Sequence, residues 1–146
     1  MATNSKDIYE LVWCTRRLFQ QLRDTSDKLL DGTGINTSQR AVLEFLHGNP
    51  SQTVSNMARE KTVSRQHIQT VVNNLLKLEL VTTKENPAHK SSPLIAITGK
   101  GKKLFQKITR KEAKVLEAMA NEFREKDIST SINTLKAINT YLQEDK

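Results

Sequence analysis

The apolar residues of the chain recur mostly at intervals of three and four positions, which is the spacing of one face of an α-helix. The clearest run places Ile68, Val71, Val72 and Leu75 on one stripe, which is predicted to face a core. The other side of this helix carries short or planar hydrogen-bonding side chains, the types that read base edges in a DNA major groove. An ordinary solvated helix face has the same pattern, so the helix alone leaves both interpretations open. The candidate DNA-binding residues here are Ser64, Arg65, Gln66, His67, Gln69, Thr70 and Asn73.

Two helices are predicted in the N-terminal part of the chain, and each has a capping signal. The first runs from residue 5 to about residue 30, with Asn4 or Ser5 as its N-cap, and the glycine-containing segment DGTGIN ends it. The second follows Asn36, and Gln39 stands three residues further on, which is the spacing of a capping box.

A short third helix lies directly before the helix with the polar face. Thr53 is its predicted N-cap, the helix covers residues 54–60, and Ser64 can cap the next helix after a turn of only a few residues. Two helices joined in this way form a helix-turn-helix, in which the second helix enters the major groove. Many helical hairpins share this pattern, so it is weak evidence by itself.

A β-hairpin is predicted directly after the helix-turn-helix. Residues 80–84 favour a strand, ENPAHKSSP is a polar turn with two prolines, and LIAIT alternates as a second short strand. A hairpin in this position is a wing, and its tip carries His89 and Lys90, which can reach DNA phosphates or a minor groove.

The C-terminal part of the chain predicts two more amphipathic helices, over residues 99–123 and 129–143. The first helix and the last helix both carry more apolar surface than a small winged unit can cover, which favours a dimer interface. Packing of the two helices on each other within a monomer is the alternative. The candidate dimerisation residues are Ile8, Leu11, Ile132, Leu135, Ile138 and Leu142.

Charge strengthens the DNA-binding interpretation. The chain has 146 residues and a formal net charge of +7, and positions 59–114 hold thirteen basic and four acidic residues, a local net charge of +9. The remaining positions hold ten basic and twelve acidic residues. Such a concentration of positive charge indicates a polyanionic partner, most commonly nucleic acid. The additional backbone-contact candidates are Lys77 and Lys84.

Other classes of function find little support in the sequence. The one cysteine, Cys14, excludes an internal disulfide, and no apolar run or N-terminal signal predicts a membrane span or export, so we expect a cytoplasmic protein. The three histidines are dispersed, which predicts no metal site, and no nucleophile, carboxylate pair or phosphate-binding glycine loop predicts an enzyme or a cofactor.

Cys14 suggests one alternative. It stands near Arg16 and Arg17, which could stabilise a thiolate, and a redox sensor needs a cysteine with a lowered pKa and solvent access. A single cysteine in an apolar helical stripe is more often a small core residue.

The order of elements, together with a gapless series of short motifs, resembles the MarR family of winged helix-turn-helix regulators. The matching segments are residues 35–39 with L-T-x-x-Q, 53–58 with S-x-x-E-L-A, 63–65 with V-D-R, 80–81 with L-V and 97–101 with L-T-x-x-G. The resemblance implies a mainly α fold with a small β-hairpin wing, in which a winged helix-turn-helix core is flanked by N- and C-terminal dimerisation helices. It also implies an effector pocket between the dimerisation helices and the winged unit.

Two departures from the family pattern concern the strength of DNA binding. Lys61 and Thr62 replace the usual Leu-Gly of the turn, which predicts a less tightly set turn and one missing core contact. His89, Lys90 and Ser91 replace the wing motif D-x-R, and we assign the role of the missing arginine to Lys90.

The sequence therefore predicts a homodimeric, sequence-specific double-stranded DNA-binding transcriptional regulator. We expect a repressor that binds a pseudo-palindromic operator. A small-molecule effector can be expected to release the repressor from DNA, but no residue identifies that effector. The expected divisions are residues 1–34 for the N-terminal dimerisation helix, 35–100 for the DNA-binding domain and 101–146 for the helices that complete the dimerisation domain. The alternatives are a winged-helix adaptor that binds another protein and a redox-responsive repressor that uses Cys14.

Overall fold

A computed structural model describes residues 3–144, which form six helices and one two-stranded antiparallel sheet. The predicted fold class, mainly α with a β-hairpin wing, is confirmed. The elements are α1 Ser5–Leu30, α2 Thr37–Gly48, α3 Val54–Glu60, α4 Arg65–Lys77, β1 Val81–Lys84, β2 Leu94–Ile97, α5 Gly99–Ala120 and α6 Glu125–Glu144.

Side-chain caps set the first turn of each of the four N-terminal helices. The Asn4 side chain accepts hydrogen bonds from the first turn of α1, and Thr53 and Ser64 do the same for α3 and α4. At α2, Asn36 and Gln39 form a complete capping box, with both reciprocal hydrogen bonds present. These bonds satisfy backbone N–H groups that have no partner inside the helix.

The core of the winged region is centred on α4. The predicted stripe of Ile68, Val71, Val72 and Leu75 is buried throughout. It packs with α2, α3, the hairpin and the first half of α5 in one apolar cluster. The largest side chains that are almost completely buried are Leu43, Met57, Ile68, Leu75, Ile95, Ile108, Val42 and Val72.

The hairpin pairs β1 with β2 in antiparallel register, from Val81 opposite Ile97 to Lys84 opposite Leu94. Gln52, in the segment between α2 and α3, pairs with the outer side of β2. Its N–H donates to the Ile95 carbonyl at 3.0 Å, and its carbonyl accepts from the Ile95 N–H at 2.8 Å. This bridge anchors the wing to the helical core.

The chain divides into two compact units, one that ends at Arg110 and one that begins at Lys111, so α5 contributes to both. In the second unit, α5 ends at Ala120 rather than Phe123, and α6 begins at Glu125 rather than Ser129. The earlier start of α6 places Glu125 and Asp127 in its first turn, where carboxylates interact favourably with the positive end of the helix dipole. The spacing of the apolar residues does not reveal this start, because it takes no account of the charged residues.

The predicted dimerisation residues lie on surfaces that are at least partly open in the single chain. Ile8, Ile132, Leu135 and Leu142 are exposed, and Leu11 and Ile138 are half-buried. Their assignment to a dimer interface stays a prediction. Within residues 3–144, no helix combines the length and apolarity that crossing a bilayer requires.

Candidate nucleic-acid interface

The turn between α3 and α4 is closed by the two hydrogen bonds of a Schellman motif. The Val63 N–H donates to the Ala58 carbonyl at 3.1 Å, and the Thr62 N–H donates to the Arg59 carbonyl at 3.2 Å. Thr62 adopts φ 54°, the left-handed conformation that this position requires and that glycine usually supplies. The turn keeps both of these bonds, while a β-branched residue occupies a strained conformation, so a less tightly set turn stays a prediction.

Lys61, the other departure from the family pattern, also retains a contact with the core. Its side chain is half-buried, and its ammonium nitrogen lies 5.8 Å from the centroid of the Phe45 ring, a cation–π distance. Lys61 therefore contacts the edge of the core through its charged group, and the loss of the leucine's apolar contact stays a prediction.

All seven candidate residues at the start and on the polar face of α4 are exposed, and the six that belong to the helix point in three directions. Gln66, Thr70 and Asn73 lie opposite the buried stripe at helical spacing, which is the direction away from the core. His67 borders a groove that the first turns of α2 also line. Arg65 and Gln69 border a cleft shared with the wing.

The cleft beside Arg65 and Gln69 brings the recognition helix and the wing together. Thr83 of β1 and the serines of the loop, Ser91 and Ser92, line its opposite side. The sequence does not single out these three hydroxyl residues, because no local pattern connects the loop of a hairpin with the flank of a preceding helix. The structure adds them to the candidate site.

Two hydrogen bonds within α4 order side chains of its polar face in the absence of DNA. The Gln69 Nε2 donates to the Asn73 Oδ1 at 2.9 Å, and the Thr70 hydroxyl donates to the Gln66 carbonyl at 3.0 Å. The Gln69 amide still has one N–H and its carbonyl oxygen free for a base edge. The pair therefore presents an ordered amide group.

The wing loop is shaped by Asn86. Its Oδ1 accepts from the Ala88 N–H at 3.1 Å, and its Nδ2 donates across the loop to the Ser92 carbonyl at 2.8 Å. At the tip, the Ser91 hydroxyl lies 3.1 Å from the His89 Nδ1. Lys90 is exposed beside them.

Lys84 and Lys90 border one groove of the wing, so the structure brings these two predicted phosphate ligands together. Lys77 is exposed in the last turn of α4. Lys100 behaves differently from the neighbouring basic residues: its ammonium group donates to the Leu78 carbonyl at 3.0 Å and lies 3.7 Å from the Glu79 carboxylate.

Cys14 is exposed on α1, so the single chain does not bury it as a core residue. Of the two nearby arginines, Arg17 has its guanidinium 4.7 Å from the centroid of the Trp13 ring. No group of three or more His, Cys, Asp or Glu side chains among residues 3–144 is arranged to hold a metal ion.

A short helix, a tight turn, a second helix with an exposed polar face and an anchored hairpin together define a winged helix-turn-helix protein. The family model described as "MarR family" matches residues 33–90. An uncharacterised protein of Mycobacterium tuberculosis strain H37Rv is 30% identical over 115 residues, which are 79% of this chain and 75% of the relative. The chain belongs to the MarR family.

A further similar protein is a transcriptional regulator, and two solved structures share the fold. The HTH-type transcriptional regulator MhqR of Bacillus subtilis is 25% identical over 122 residues, which are 84% of each chain. The crystal structure of the MarR family transcription regulator SP03579 superposes with a TM-score of 0.90 at 21% identity, covering 96% of this chain and 93% of the other. Streptococcus pneumoniae FabT in complex with DNA superposes with a TM-score of 0.80 at 17% identity, covering 98% and 100%.

Proposed function

We propose that this protein is a homodimeric, sequence-specific double-stranded DNA-binding transcriptional repressor that acts in the cytoplasm. The observation that carries the proposal is the joint surface of α4 and the wing. An exposed polar helix face lies beside a lysine-bearing hairpin, and both belong to the segment with a net charge of +9. The alternative, an ordinary solvated helix face, does not account for the adjacent hairpin or for the concentration of positive charge.

In this proposal, the exposed face of α4 enters the major groove. Arg65 and Gln69 have the bidentate geometries suited to guanine and adenine, respectively, and Gln66, His67, Thr70 and Asn73 complete the base-facing surface. Ser64 lies at the N-terminus of the helix, where an exposed backbone can approach a phosphate. The backbone and wing contacts fall to Lys77, Lys84, His89 and Lys90.

Dimerisation explains the apolar surface of the terminal helices. Ile132 and Leu135 of α6 are 45% and 43% exposed, and Ile8 of α1 is 41% exposed, so each helix has apolar area for a partner to cover. A two-fold dimer would place its two recognition helices about 34 to 36 Å apart, in successive major grooves. The operator should accordingly be a pseudo-palindrome.

Selection of bound sequences from random DNA tests the whole proposal. Purified protein should enrich a pseudo-palindromic motif whose half-sites are spaced by about one helical turn. A result without symmetry or sequence enrichment would contradict a dimeric, sequence-specific reader.

Variants then test the assigned roles on the selected duplex and on a random duplex. Arg65→Ala and Gln69→Ala should each weaken specific binding by roughly 1 to 3 kcal/mol and relax preference at one base pair. Lys90→Ala should weaken binding to both duplexes alike. The negative slope of log K against log salt should become less steep by about 0.9. Arg23→Ala, which removes an exposed charge from α1, is the matched control and should change neither property.

The same measurements separate the alternatives. A protein-binding adaptor would show no DNA binding even at low salt, where phosphate contacts are strongest. A thiol-controlled repressor would release DNA on treatment with an organic hydroperoxide, and Cys14→Ser would abolish that response; its exposure supplies the access that such a sensor needs. Release by a small-molecule effector would appear as a ligand-dependent loss of affinity in wild-type protein and Cys14→Ser alike.

A further inference from the structure

Three consecutive backbone carbonyls that directly follow α4, those of Leu78, Glu79 and Leu80, are held by Thr98 and Lys100 at the start of α5. The Lys100 ammonium donates to the Leu78 carbonyl at 3.0 Å, and the Thr98 hydroxyl donates to the Glu79 carbonyl at 2.8 Å. The Thr98 N–H donates to the Leu80 carbonyl at 3.1 Å. Leu78 is the C-cap of α4, so its carbonyl has no partner within the helix. Glu79 and Leu80 follow the cap, and their bonds to Thr98 lie at the base of the hairpin, next to the Val81–Ile97 pair.

The same junction is closely packed. A Cβ placed on Gly101 would lie 2.1 Å from the Leu80 carbonyl oxygen and 2.9 Å from the Ile97 Cγ1, so only glycine fits between the backbones. The Gly101 N–H donates to the Thr98 hydroxyl oxygen at 3.0 Å. The Thr98 hydroxyl therefore accepts a hydrogen bond from the Gly101 N–H of α5 and donates one to the Glu79 carbonyl just after α4. The two backbone segments consequently have little freedom to move relative to each other.

The backbone just after α4 adopts a helix-capping conformation that fixes it to α4. Glu79 adopts φ 59°, and the Glu79 and Leu80 N–H groups donate back to the Leu76 and Leu75 carbonyls at 3.0 Å each. These two bonds complete a Schellman motif, so the backbone N–H groups point into α4 while the carbonyls of the same residues point to α5. Because the cap fixes residues 79 and 80 to α4, a rotation of α4 relative to the start of α5 must distort the bonds to Thr98 and Lys100 or the cap itself.

We propose that Thr98 and Lys100 are positioning residues that fix the C-terminal end of the recognition helix to α5, so that the DNA-reading face follows the orientation of α5. The proposal rests on α4 being the reading helix. It assigns Lys100 to the protein's own backbone rather than to a DNA phosphate. The two residues act on base recognition through the geometry of α4, and neither touches a base.

The positioning role predicts a loss of specificity without a loss of phosphate contacts. Thr98→Val keeps the shape of the side chain and removes the hydroxyl, so it should weaken binding to the selected duplex by roughly threefold to tenfold and binding to random DNA by less than about twofold. Thr98→Ser restores the hydroxyl and should recover specific binding. Lys100→Met should also lower the ratio of specific to random affinity while it leaves the salt slope unchanged.

Lys103→Met is the matched control, because it removes the same charge from an exposed position of α5 three residues further on, and it should leave the ratio of specific to random affinity unchanged. If Lys100 were a phosphate ligand, Lys100→Met would weaken both duplexes equally and reduce the salt slope by about 0.9, which would overturn its assignment. Equal losses on both duplexes for Thr98→Val, at unchanged thermal stability, would overturn the positioning role of Thr98.

Hydrogen exchange without DNA tests the connection independently of DNA binding. Thr98→Val should speed amide exchange at Glu79 and Leu80 relative to wild type and Thr98→Ser, since the carbonyls of these residues lose or strain their bonds to α5. Unchanged exchange at both amides would refute the connection even if the variant binds DNA poorly. Failure of wild-type protein to prefer any sequence would instead refute α4 as the reader, and the exchange result would still stand.

Discussion

Thr62→Gly should stabilise the protein, although it removes a side chain. Thr62 occupies the left-handed region at φ 54°, where a non-glycine residue costs on the order of 1 to 3 kcal/mol. Glycine removes this strain, but it raises the conformational entropy of the unfolded chain, a penalty of roughly 0.5 to 1 kcal/mol. The Thr62 side chain is exposed, so its removal leaves no cavity. We therefore expect a net gain of about 0.5 to 1.5 kcal/mol in the free energy of unfolding.

Urea denaturation at a fixed protein concentration measures this gain. The midpoint should rise while the m-value stays unchanged, because the substitution alters neither the fold nor the area exposed on unfolding. Fixed concentration matters because association of the folded chain would itself shift the midpoint.

Thr70→Gly is the matched control, since it makes the same chemical change at an exposed helical position of α4. It has the same effect on the unfolded chain but relieves no left-handed strain, so it should destabilise the protein by about 0.5 kcal/mol. If Thr62→Gly lowers the midpoint as much as Thr70→Gly does, Thr62 is not strained and the reasoning fails.

Three further substitutions test the junction, the wing and the α2 cap. Gly101→Ala should destabilise the protein by about 2 to 4 kcal/mol in thermal denaturation, because the new Cβ meets the Leu80 carbonyl, whereas Gly48→Ala, which meets nothing within 4 Å, should be neutral or slightly stabilising; similar melting temperatures for the two variants would contradict the tight packing. Asn86→Ala removes both side-chain bonds of the wing loop and should speed proteolysis within residues 85–93, while Glu85→Ala should not; equal cleavage rates would show that Asn86 does not hold the loop. Asn36→Ala removes the α2 cap and should lower the free energy of unfolding by about 1 kcal/mol, a loss that Asn36→Ser should largely avoid.

Much of the local structure follows from the sequence because its causes are local. The caps at Asn36, Thr53 and Ser64 each act within three residues, and the apolar stripe of α4 repeats within four. Proline, asparagine and glycine mark the loops for the same reason, since they restrict or extend the backbone at their own positions. The helix-turn-helix, the hairpin and the family resemblance all depend on signals of this range.

The candidate site was predicted less completely. The polar face of α4 follows from helical periodicity, and all of its candidate residues are exposed. Periodicity does not tell which of them meets the wing, so Thr83, Ser91 and Ser92 were missed as neighbours of Arg65 and Gln69. These residues are brought together by the hairpin packing on the helix, which depends on the buried side chains of both elements.

The sequence by itself determined the order of the elements, the core face of the recognition helix and the position of its polar face, because each depends on neighbours within a turn or two. Only the tertiary structure decided that the Thr62 turn keeps its bonds at the expense of strain, that Gln52 anchors β2, and that Lys100 binds the end of α4. The partners in the last two cases are separated by 43 and 22 residues, respectively, a distance over which no sequence periodicity operates. Packing of the core brings them together, and their bonds form because buried or terminal backbone groups need partners.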